Sequence, residues 1–129
     1  MRALLTLTML FVFAPLVAIG SETSKLYYSE ANKAEQQWQK SYYIKESVKS
    51  ISSSPRIIRV AIKTIDVYRG NRRTAKSTVE LNCDSKQQKT IKHWSSNSGE
   101  DKGLIVDGEW RDVSGYYGGK ELVEQVCPH

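Results

Sequence analysis

From Arg56 to Ser95 the chain alternates apolar and polar side chains with the two-residue period of strands that bury one face. In "RIIRVAIKTIDVY", Ile58, Val60 and Ile62 point one way and Arg59, Ala61 and Lys63 the other. In "KSTVELNCDS", Ser77, Val79, Leu81 and Cys83 oppose Lys76, Thr78, Glu80, Asn82 and Asp84, which puts a cysteine on the buried face. In "KTIKHWS", Thr90, Lys92 and Trp94 alternate with Lys89, Ile91 and His93. The breaks between these runs, "RGNRRT" and "DSKQQ", carry turn residues, so three consecutive strands with short connections predict an antiparallel meander. The period changes at the end of the chain: in "KELVEQVC", Leu122, Val123, Val126 and Cys127 form one stripe of a helix that Pro128 stops.

Ahead of this block the pattern is weaker. "SEANKAEQQWQ", Ser29 to Gln39, contains good helix formers and a thin stripe of Ala31, Ala34 and Trp38, which predicts a short helix or turn. The aromatic and β-branched residues that follow predict a strand around Ser41 to Lys45, and "SVKSISSSP" reads as a serine-rich turn closed by Pro55. "SSNSGEDKG" reads as a polar loop and "LIVDGEWRDV" as one or two short strand or turn segments.

The first twenty residues, "MRALLTLTMLFVFAPLVAIG", have Arg2, an apolar run and then small residues. That composition predicts a secretory signal peptide, with Ala18 and Gly20 at the cleavage site and Ser21 as the mature start. The apolar stretch is short of the roughly 20 residues that a spanning helix needs, so no stable membrane insertion is expected after cleavage. No cysteine stands there to take a lipid. The expected organisation is therefore a signal peptide over 1–20, a lead or short helix over 21–37, and a single small domain over 38–129.

Export places the two cysteines, Cys83 and Cys127, in an oxidising environment, where they admit one intramolecular pairing. Closing so long a loop is worth on the order of 4 kcal/mol. The expected fold is α+β: a small antiparallel β-sheet, a meander, with a C-terminal helix clamped to it by one disulfide.

The formal net charge is +5, and its distribution matters more than its sum. Lys45 to Lys92 carries twelve Lys and Arg against four Asp and Glu, whereas His93 onward carries three against seven. A dipolar domain with one face suited to acidic partners follows. The candidate ligand-binding residues are Arg59, Lys63, Arg69, Arg72, Arg73 and Lys76, the last four gathered in "RGNRRTAK" at an expected hairpin tip. Arginine forks and lysines suit sulfate, phosphate and carboxylate, so the expected partner is an acidic protein or a glycosaminoglycan. Lysine and arginine on outward strand positions are also the ordinary way to keep a sheet soluble, and that is the commoner reason for such residues. Nucleic acid is disfavoured by export and by the lack of a reading motif.

Catalytic chemistry finds little footing. His93 and the terminal His129 are the only histidines, so no metal site and no cofactor are expected. No nucleophile elbow or glycine-rich phosphate loop is present. The acidic pairs Glu100 with Asp101 and Glu109 with Asp112 fall in polar segments, and no enzymatic activity is expected. Core packing is the expected use of Trp38, Trp94 and Trp110.

"YYIKESVKS", "RIIRVAIKTIDV", "AKSTVELNCDSKQQKTIKHWS", "GEWRDV" and the terminal "LVEQVC" together resemble the surface-adhesin protein E family of small exported bacterial proteins, over roughly residues 38 to 127. The resemblance implies a small antiparallel sheet with a C-terminal helix, a strand cysteine linked to one near the C-terminus, and attachment to host matrix proteins. Two departures stand out: Lys45 occupies a position where the family often has aspartate, and Glu22 to Gln37 has no counterpart. The functional expectation is an exported binding module, an adhesin acting at the cell surface. The alternative is a periplasmic stress, inhibitor or immunity protein that docks an acidic protein partner.

Overall fold

The computed structural model describes residues 22–96, 104–105 and 108–128; the expected signal peptide, most of the polar loop with Glu100 and Asp101, and His129 lie outside the described residues. The described strands are β1 (Ser24–Asn32), β2 (Gln37–Ile44), β3 (Lys49–Ser53), β4 (Arg56–Tyr68), β5 (Asn71–Asn82), β6 (Gln87–Ser95), β7 (Leu104–Ile105) and β8 (Arg111–Asp112). They form one antiparallel sheet in the order β1-β2-β4-β5-β6-β7, with β3 added beside the start of β4 and β8 beside the start of β6. One helix, α1 (Gly119–Val126), follows. The expected meander is β4-β5-β6, and the expected α+β class with its terminal helix is what the chain adopts.

Two expectations are corrected. The segment Ser29 to Gln39 is not helical: Asn32 ends β1, Lys33 to Gln36 turn, and β2 returns with Ala31 opposite Trp38. The Asn32 side chain accepts from the Glu35 amide at 3.3 Å, and Gln36 takes a left-handed φ of 51°. A stripe of two alanines and one tryptophan buries too little to hold a helix, while β2 gains a full ladder with β4 and offers β1 its other edge. The serine-rich segment also holds more structure than a turn. Lys49 to Ser53 pairs with Arg56 to Arg59, and the turn shrinks to Ser54 and Pro55, joined by a cis peptide.

The β4-β5 hairpin sets the register of the rest. Arg69 and Gly70 both have positive φ, 49° and 81°, the backbone that a two-residue hairpin turn requires. Tyr68 therefore closes the turn opposite Asn71, the first of twelve successive pairs that run down to Ile57 opposite Asn82.

The core lies at the far end of that ladder. Ile58 and Val60 on β4 face Leu81 and Val79 on β5, and α1 lays Leu122 and Val123 over them together with Tyr27 and Val113. Cys83 and Cys127 join across this end with a Cα separation of 5.8 Å and a sequence separation of 44. Arg56 makes a polar clasp beside the cross-link: its amide and Nε donate to the Asp84 carboxylate at 2.8 and 2.9 Å, and Nη1 donates to the Pro128 carbonyl at 3.0 Å. Those bonds, first the Arg56 amide and then its side chain, hold the Asp84 carboxyl below the usual carboxylate range.

Helix α1 enters through Gly118, at φ 71°, against β1. A Cβ there would stand 2.5 Å from the Tyr28 Cβ and 3.0 Å from the Tyr27 ring. Gly118→Ala is expected to cost about 1–3 kcal/mol through the combined φ and overlap, read as a lowered urea midpoint.

Burial pushes the Tyr27 hydroxyl up to about 12, against a bond with Ser41 that lowers it and with Glu121 adding to the rise. The fold thus favours the neutral phenol. That contribution is intact below pH 10 and is lost as pH climbs toward 12, a difference on the order of 2 kcal/mol. Tyr27→Phe is expected to flatten this alkaline loss relative to the native chain when urea midpoints are compared between pH 9 and 12.

Candidate functional site

The sheet has two unlike faces. One carries Ile58, Val60, Val79 and Leu81 and is covered by α1 at its core end. The other has no covering element among the described residues. Paired residues of antiparallel strands point to the same side, so the registers read its composition directly. One row crosses four strands: Tyr42 on β2 stands opposite Lys63 on β4, Lys63 opposite Lys76 on β5, and Lys76 opposite Trp94 on β6. Two lysines directly opposite one another disfavour the pairing by a few tenths of a kcal/mol or more.

Each of these lysines lies over the aromatic beside it. The Lys63 ammonium is 5.7 Å from the Tyr42 ring centre and the Lys76 ammonium 5.5 Å from that of Trp94. The arrangement repeats at both ends of the open face, with Lys40 5.4 Å from the Trp38 ring and Lys89 4.9 Å from the Trp110 ring. Such contacts, each worth about 0.5–1 kcal/mol at exposed sites, fix long side chains that would otherwise sample many rotamers. Lys92, opposite Thr78, joins Lys63 and Lys76 along a shallow groove that Ala61, Thr78 and Glu22 also line. Among the described residues, Lys40, Lys63, Lys76 and Lys92 have no carboxylate within ion-pair distance.

The six sequence-derived candidates do not form one cluster. Lys63 and Lys76 meet at the centre of the open face, and Arg72 lies on the same face opposite Val67. Arg59 shares that face but is engaged by Glu80, which accepts from its Nε at 3.1 Å and Nη2 at 2.7 Å and also meets Lys89 at 3.6 Å. Arg73 points to the opposite face and pairs with Asp66 at 3.1 Å. Arg69 sits in the turn over the Tyr68 ring at 5.2 Å. The expected cluster at the tip is thus dispersed, because strand alternation sends Arg72 and Arg73 to opposite sides.

The tryptophans correct a second expectation. Trp38, Trp94 and Trp110 are half-buried and stand outside the core cluster. Lys40, Lys89 and Lys92 escaped the sequence reading as well. The turn at Arg69-Gly70 was the available signal: with it as the hairpin centre, Lys63 must oppose Lys76.

On the covered face, beyond the reach of α1, the Ser77 hydroxyl and His93 Nδ1 lie 2.8 Å apart. His93 has no carboxylate partner among the described residues, and Asp66 is turned toward Arg73 and Gln37. Among the described residues, the base of this pair therefore lacks the third group that orients it in nucleophilic catalysis. No set of three His, Cys, Asp or Glu among the described residues could hold a metal ion, and no helix among them is long and apolar enough to cross a membrane.

Comparison with protein-family models, with curated proteins and with solved structures finds no match to this chain.

Proposed function

We propose that this chain is an exported binding module without catalytic activity, whose open sheet face docks an anionic macromolecular partner. The observation that carries the proposal is the row Tyr42, Lys63, Lys76, Trp94: like charges stand opposite one another on an uncovered face, each held over a ring of its own chain. The fold gains little from that juxtaposition. An anionic partner would convert it into favourable contact and would be steered toward it. The disulfide fits an oxidising compartment. With the resemblance to the surface-adhesin protein E family, the partner we favour is host extracellular matrix, contacted from the bacterial surface.

The test has two parts. Immobilised matrix proteins should retain the chain, with retention falling steeply as salt rises. Protease treatment of intact cells should remove the chain while a periplasmic marker survives. A chain protected along with the marker would sink the adhesin reading in favour of a periplasmic protein that docks an acidic partner.

Arg72→Glu combined with Arg73→Glu is expected to weaken retention only about two- to fivefold, because Arg73 faces the other side and is already paired. A loss as large as that from Lys63 and Lys76 variants would shift the site to the hairpin end.

A further inference from the structure

Resting on the reading of the open face as a binding surface, we propose that it takes one chemical class of ligand, a linear acidic polysaccharide carrying sulfate groups along its length. The lysines are arranged as a track. Lys40 on β2 is opposite Ile65, Lys63 and Lys76 form the next row, and Lys92 on β6 lies one row further, opposite Thr78. All three steps move across the sheet in the same sense, and the first and last also move along it in one direction. With strands about 4.8 Å apart and residues about 3.4 Å apart, the diagonal runs roughly 20 Å. A compact anion would need convergent donors, whereas a track one ammonium wide suits a polymer that repeats its charge.

The aromatic rings act as supports in this arrangement. Tyr42, Trp38 and Trp94 each carry an ammonium of their own chain above the ring, and none of them is among the large apolar side chains that project into solvent. The heads of Lys40, Lys63 and Lys76 are therefore raised and restrained before any ligand arrives, which lowers the ordering cost of binding. Thr74 and Thr78 stand on the same face beside the lysines, and their hydroxyls match the hydroxyls of a sugar chain. Two carboxylates border the track: Glu80 is already neutralised by Arg59 and Lys89, and Glu22 lines the groove beside Lys63, Lys76 and Lys92.

Other occupants fit less well. A single-stranded nucleic acid takes its affinity from bases stacked on bare rings, and here the rings lie under ammonium groups. A bilayer interface takes projecting aromatic and apolar wedges, whereas these rings are half-buried. A second copy stacked on this face would set lysine against lysine.

The test is titration of the mature chain with heparin oligosaccharides, followed by intrinsic tryptophan fluorescence and calorimetry, beside fully desulfated heparin, a single-stranded oligonucleotide and polyglutamate of matched charge. The expected result is saturable binding of the sulfated oligosaccharide, at least about tenfold tighter than any of the other three. Lys63→Gln with Lys76→Gln should weaken it about tenfold or more at an unchanged thermal midpoint, and Arg73→Gln should leave it unaltered. Equal affinity for polyglutamate or the oligonucleotide would overturn the assignment to a polysaccharide, as would indifference to the lysine pair. Failure with heparin, together with lysine-dependent retention on glycan-free matrix protein, would remove this inference alone. Failure on both ligands would remove the proposed function with it.

Discussion

Replacing Cys83 and Cys127 by alanine is expected to lower the free energy of unfolding by about 4 kcal/mol. The bridge closes a loop of 44 residues, and the chain entropy withheld from the unfolded state by a loop of that length has this size. A domain whose whole stability lies in the usual range of about 5–15 kcal/mol has little left after such a loss. The effect should be uneven. The sheet keeps its ladders, whereas α1 is a helix of 8 residues, too short to persist on propensity. It is then held by Leu122, Val123 and the Arg56 contact to Pro128. Urea unfolding followed by circular dichroism measures the total loss, and amide exchange should show Leu122 to Val126 opening ahead of β4 and β5. A loss below about 1 kcal/mol would mean that the covered face holds the helix unaided.

The second large effect concerns binding without folding. Lys76→Glu turns a like-charge cross-strand pair into an opposite-charge one, since Lys63 lies directly across from it. The gain, about 0.2–1 kcal/mol, offsets the lost contact with Trp94. Stability should therefore stay within about 0.5 kcal/mol of the native value. Retention on matrix should nevertheless fall, by about tenfold for this change and by roughly a hundredfold for Lys63→Glu and Lys76→Glu together, with a shallower salt dependence. A structural role for these lysines gives the opposite pattern, a lowered thermal midpoint with retention intact. Thermal melts and retention measured on the same preparations separate the two.

Much of this fold could be read from the period of the side chains. The alternation in "RIIRVAIKTIDVY" and "KSTVELNCDS" assigns Val60, Val79, Leu81 and Cys83 to one buried face, and the shift to a helical stripe at Leu122 and Val123 leads the second cysteine to the same place. What escaped was decided by tertiary pairing. The segment from Ser29 to Gln39 contains capable helix formers, and it became the end of β1, a turn and the start of β2 because β2 presented an edge to β1. The proposed binding face was half legible. Lys63 and Lys76 were marked by charge alone, but which cations share a face depends on the turn at Arg69-Gly70, and that separates Arg72 from Arg73. The tryptophans followed composition less closely than position: Trp38 and Trp94 fall on the strand face opposite the core, where a large ring can support a lysine without displacing the packed valines and leucines, and Trp110, just ahead of β8, lies under Lys89.

The most direct measurement is a lysine acetylation footprint of the mature chain, read by mass spectrometry, free in solution and in contact with a host matrix layer. The account predicts protection of Lys63, Lys76 and Lys92, with Lys40 protected at the margin, while Lys25, Lys33, Lys86 and Lys120 react as they do in the free chain. Protection confined to those outlying lysines, or none at the central three while the chain is retained, would contradict it and move the binding surface off the open face.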